Sequence, residues 1–155
     1  MPKVDLEAVE KVQRTGYPPP HDQQVRGRWA QRLAAPFGLT DFGANVATLE
    51  PGAWSSQRHW HEGEDELVVM LEGEAVLVED QGETVMRPGD VAVFPKGVAN
   101  GHHFINRTDR PCRLIAIGRP PSDFCYYSDI DMMVGADGTY THKDGTSFER
   151  TAPLA

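Results

Sequence analysis

His59, Trp60 and His61 stand between Gln57 and the acids Glu62, Glu64, Asp65 and Glu66 in the stretch QRHWHEGEDELVVMLEG. In an extended chain alternate residues share a face, so His59 and His61 point together with Gln57, and Arg58 and Trp60 point the other way. Two neutral imidazoles held like this offer nitrogens to a borderline divalent metal ion, and Glu66, at the head of the next apolar run, adds an anionic oxygen. That mixed donor set suits Fe2+, Mn2+, Ni2+ or Zn2+. A second histidine pair, His102 and His103, lies some strands further on. His21, in a proline-rich segment, and His142, in a turn-rich tail, have no partner in sequence and are expected at the surface.

The elements that must position these side chains read as strands from Phe42 onward. The runs FGANVATLE, ELVVMLE, EAVLVED, ETVM and VAVF alternate with the turn residues PG, G, QG, RPGD and PKG. Pro88 and Gly89 fit the centre of a type II turn, and Pro95, Lys96 and Gly97 fit a type I turn. HHFIN, CRLIAIG and FCYYS continue the series, and no repeat of fixed period interrupts it. The reading is all-β, a sandwich or barrel of antiparallel strands. Residues 1–16 read as a short helix that Pro18, Pro19 and Pro20 end. The chain divides into an N-terminal arm and first strand (1–41), a barrel core (42–118), and a C-terminal strand and tail (119–155). Tyr126, Tyr127 and the segment DIDMM serve there as a last strand or a lid.

ELVVMLE is apolar on both faces, so both faces need cover. One lines the barrel. The other, through Leu67, Val69 and Leu71, must meet the arm or a second subunit, and the arm has few large apolar side chains, which points to a homodimer.

Composition removes several classes of function. With 15 Lys+Arg against 23 Asp+Glu the formal charge is -8, which makes nucleic acid an unfavourable partner. No window approaches the ~18 apolar residues of a spanning helix, and the charged N-terminus lacks an export signal, so no membrane role and a cytoplasmic location are expected. Cys112 and Cys125 are too few for a disulfide framework and read as ordinary thiols.

Two longer stretches resemble a known family. GAWSSQRHWHEGEDELVVMLEG, Gly52 to Gly73, is similar to the first motif of the cupin superfamily, and GDVAVFPKG followed by HHFIN, Gly89 to Asn106, is similar to the second. The likeness covers about residues 42 to 118. It implies a small jelly-roll barrel, a double-stranded β-helix, with a metal bound in its mouth by His59, His61, Glu66 and His102. Within that pattern Glu66 is preferred to Glu62, Glu64 and Asp65 by its spacing to Gly73, and His102 to His103 by its spacing to Asn106. The loops before His59 and His102 are longer than the family pattern, by one residue and by two.

By the same resemblance the function is that of a metal-dependent enzyme, dioxygenase-like or isomerase-like, on a small oxygenated molecule; a ligand-binding or sensing module is the alternative. Gln57, Met70 and Phe104 are the expected walls of the substrate pocket. Arg58, Trp60 and His103 are expected on the outer face. The acids Glu62, Glu64 and Asp65 disfavour strongly anionic substrates unless Arg58 or Lys96 turns inward.

Overall fold

The structure, a computed structural model, describes residues 3–119 and 122–148; the end of the expected tail, residues 149–155, lies outside them. Twelve strands carry the described residues: β1 (Arg28–Arg32), β2 (Gly43–Leu49), β3 (His59–His61), β4 (Glu66–Glu72), β5 (Ala75–Glu79), β6 (Gly82–Met86), β7 (Val91–Phe94), β8 (His103–Ile105), β9 (Cys112–Gly118), β10 (Cys125–Tyr127), β11 (Met133–Val134) and β12 (Tyr140–Thr141). Every strand pairing is antiparallel.

One layer has the order β1-β2-β9-β4-β7. The other is assembled from β12-β11-β10-β3 and β6-β5-β8, joined where isolated bridges tie His59 to His102 and Trp54 to Ile105. Between the layers the inward residues of both pack as one core, including Leu49, Val68, Met70, Leu77, Phe94, Phe104 and Leu114. This is the jelly-roll that the alternating runs predict, because each strand gives one apolar face to the interior.

The turn chemistry places strand ends where the sequence puts them. Gly73 stops β4 at φ 72°, and a Cβ there would lie 2.8 Å from the Cys112 side chain, so the strand end needs glycine on both counts. Gly89 has φ 93°, as the third residue of a type II turn requires.

The arm departs from the expected helix. Among the described residues of the expected helix, 3–16, a single 3-10 turn, Leu6–Ala8, forms. Beyond it the chain is extended, because β1 supplies partners a helix would forgo. The Gln31 amide donates to the carbonyls of Leu6 and Val9, and Val12 exchanges two backbone hydrogen bonds with Ala30. A second apolar cluster joins arm and tail, with Tyr17, Tyr140 and Phe148 packed around Cys125, Tyr127 and Met132. The expected last strand, FCYYS, is therefore neither a bare edge nor a lid but one member of a small sheet that pairs with β3.

Candidate metal centre

β3 presents His59 and His61 on one face, as a period of two demands, and β4 begins with Glu66 facing the same interior. His102 is drawn in by its backbone exchange with His59, in which each N–H donates to the other's carbonyl. The potential ligand atoms of these four side chains lie within 4.8 Å of one another, the arrangement a single cation needs. His59 Nε2 is 3.1 Å from His61 Nε2, and Glu66 Oε2 is 2.9 Å from His102 Nε2 and 3.6 Å from His61 Nε2.

The opposite ring nitrogens explain why these atoms fit a metal. His59 Nδ1 is 2.9 Å from the Gln57 carbonyl, which can only accept, so Nδ1 carries the hydrogen and Nε2 offers its lone pair. Ser56 Oγ lies 3.2 Å from the same Nδ1. His61 Nδ1 is paired with the carboxylate of Glu64, with the same consequence. Two Nε2 lone pairs facing each other repel unless a proton or a cation lies between them.

Electrostatics favours a proton on His61 over one on His59. Burial, reinforced by His102 and His61, holds His59 down to about 3. Burial opposes charge on His61 too, but the Cys125 thiol, Glu64 and Glu66 outweigh it and push it up to about 12. Burial would also raise Glu66, yet hydrogen bonds from His102 and His61 keep it well below the usual carboxylate range. An anionic Glu66 beside a protonated His61 mimics the charge pattern of a carboxylate facing a cation, and a metal held by these residues would take that proton's place.

The shell around the ligands was only partly legible in sequence. Glu64, expected on a solvated turn, holds His61 and is largely buried. Phe94 stacks face to face on His102, with ring centroids 3.5 Å apart and planes 4° apart. Cys125 pairs with His61 across β3 and β10, and Tyr127 with His59. No protein acceptor reaches His102 Nδ1 among the described residues.

The structure places the other residues singled out in the sequence as follows. The Gln57 side chain does not face the cavity, because its amide donates to the His21 carbonyl and to Gln24 Oε1 and so pins the arm. Met70 and Phe104 belong to the packed core and do not line the crevice beside the ligands. That crevice, about 40 Å³, is bounded by Trp60, His61, Val93, Phe94, Pro95 and His102, with Val98 and Asn100. His103 does turn away from the cluster, but onto a covered face: Trp54 packs edge-on against it and its Nδ1 donates to the Ser56 carbonyl. Arg58 is likewise no free surface cation. It donates to both oxygens of Asp129, pairs with Asp80 and reaches the Gly101 carbonyl, bracing the residue before His102. His142 keeps to the surface, paired with Asp131.

A family model described as a cupin domain matches residues 45–118. The crystal structure of a sugar phosphate isomerase of the cupin superfamily from Silicibacter pomeroyi is 46% identical in sequence, covers 96% of this chain and 98% of that one, and superposes with a TM-score of 0.90. A polyketide cyclase from Streptomyces resistomycificus, 24% identical over 78% of this chain and 82% of that one, shares the fold with a TM-score of 0.64. No match was found among curated proteins.

Proposed function

The chain belongs to the cupin superfamily, and from that premise we propose that it is a divalent-metal-dependent isomerase of a small, weakly charged hydroxy-carbonyl compound. The observation that carries this reading is the convergence of three Nε2 atoms and one carboxylate oxygen. Likeness to a protein described as a sugar phosphate isomerase favours isomerisation over oxygen chemistry.

His59, His61, Glu66 and His102 would hold Fe2+, Mn2+, Ni2+ or Zn2+, and four ligands leave about two positions free on a six-coordinate ion. When bound, such an ion supplies polarisation of a carbonyl or hydroxyl oxygen. The chain's own groups do the rest. Glu64 and the Gln57 carbonyl fix the tautomers of His61 and His59, so their lone pairs stay aimed at one point. Phe94 supports the His102 ring. The crevice has room for about one water-sized group, so only the reacting oxygens enter, and the rest of the molecule lies against Trp60 and Val98.

Charge favours substrates without phosphate. Arg58 is committed to Asp80 and Asp129, Lys96 is exposed and outside the crevice lining, and Glu62, Glu64 and Asp65 surround the same end of β3. The experiment is to load the protein with each metal, incubate it in D2O with paired phosphorylated and unphosphorylated aldoses and ketoses, and follow C–H exchange by NMR. Metal-dependent exchange in the unphosphorylated members is expected. Line broadening without exchange across the panel would favour the ligand-binding module instead. Two copies of the chain make the working unit, joined on the apolar face of β4 and β7.

A further inference from the structure

Away from the metal centre, a second concentration of charge lies where the arm meets the start of β1. A cavity of about 330 Å³ opens there, walled by Gln13, Arg14 and Thr15 from the arm and by Asp22, Arg26 and Arg28 from the turn that leads into β1. Three guanidinium groups thus meet one carboxylate, in a chain whose formal charge is -8. That carboxylate is already engaged, since Asp22 lies 3.4 Å from Arg26. Arg28 is partly buried, and among the described residues no carboxylate comes within 4.0 Å of it or of Arg14. Its guanidinium donates instead to the Ser55 carbonyl at 2.6 Å and to the Arg14 carbonyl at 3.2 Å. Those bonds fix its direction but offset no charge, and they use two of its five N–H groups. A partly buried cation held by carbonyls alone is costly until an anion joins it.

We infer that this cavity binds a phosphate group, either as inorganic phosphate or as the end of a small phosphomonoester. Each arginine presents a planar fork that matches two phosphate oxygens, and three such forks offer more donors than the two oxygens of a carboxylate accept. The Thr15 hydroxyl adds another, because its oxygen accepts from the Tyr17 N–H at 3.1 Å and its own hydrogen is left to donate. The cavity is larger than one phosphate, so a short organic group can follow it in. A nucleic acid, by contrast, meets the net charge of -8 before it reaches the arginines. The bound anion joins residues 13–15 to residues 22–28, beside the backbone pair between Val12 and Ala30, and so adds a tie between arm and barrel. The lining shares no residue with the cluster of His59, His61, Glu66 and His102, so the inference does not depend on the metal reading.

Isothermal titration of the full chain, stripped of metal and again loaded with Mn2+, tests this with inorganic phosphate, glycerol 3-phosphate and succinate in turn. One equivalent of phosphate or of glycerol 3-phosphate per chain is expected in both forms, with succinate about tenfold weaker or worse. Tighter binding of glycerol 3-phosphate than of phosphate assigns the site to a phosphomonoester, and equal binding assigns it to the free anion. Arg14→Gln, at an exposed position, should weaken phosphate about tenfold while the far-UV circular dichroism is unchanged. Arg28→Lys keeps the charge, loses the fork and should weaken phosphate by about the same factor, which repeats the test with a second side chain. No binding at about 10 mM phosphate, equal affinity for succinate, or binding unchanged in both variants overturns the site. Binding confined to the Mn2+-loaded form also overturns it, since the anion would then lie on the metal.

Discussion

Glu64 and His103 carry the sharpest predictions at the scale of single residues. Because the Glu64 carboxylate orients His61 through Nδ1, Glu64→Gln should weaken metal binding by about 10- to 100-fold while leaving one site per chain, as isothermal titration would show. An unchanged affinity would return Glu64 to the role of a turn residue. The adjacent histidines divide their duties. His102→Ala should weaken metal binding as strongly as loss of Glu66, whereas His103→Ala should keep the metal and lose about 1–3 kcal/mol of stability, since it removes a buried hydrogen bond and a ring packed on Trp54. The convergence of His59, His61, Glu66 and His102 was legible, because period-two alternation and motif spacing are local properties. Gln57 was not, since only the path of the arm shows that its amide has carbonyl partners at His21 and Gln24. Glu64 was hidden for the same reason: a turn's acid reveals its partner only after the chain has folded back.

At the scale of elements, the strands from β2 to β10 follow the alternating runs closely, because inward and outward faces differ in polarity and turn residues mark their ends. The arm was misread as helical, since its spaced apolar residues fit either period and the Gln31 side chain decides the matter from another element. One tertiary clamp between elements is testable by pH. Arg58 in β3's approach binds Asp129 beyond β10 at 2.6 and 2.8 Å, and that guanidinium holds the Asp129 carboxyl below its ordinary value of 3.8. A carboxylate depressed in the folded state stabilises above its unfolded pKa and loses that contribution as pH falls through the folded value. Asp129 is more than half exposed, so the effect is under about 1 kcal/mol. Urea melts should show Asp129→Asn less stable than wild type at pH 7, with the gap closing below about pH 4. A gap that widened in acid would mean the ion pair is not the source.

For the whole molecule, the sequence posed the question of what covers Leu67, Val69 and Leu71, and the folded arm answers half of it by covering the β1 and β2 side of the sheet alone. How far an arm reaches depends on its backbone partners, which no pattern of residue types displays. No helix among the described residues is long and apolar enough to cross a membrane. Barrel, arm and tail together serve one end, the support of β3 and β4 around a shared point. The central claim is that this point is a metal site, and metal content tests it most directly. Wild-type protein and His59→Ala/His61→Ala, both stripped with chelator, reloaded with Zn2+ or Mn2+ and desalted, would be assayed by inductively coupled plasma mass spectrometry. Close to one equivalent per chain in the wild type and none in the double variant is the predicted result; equal metal in both, or none in either, would contradict it.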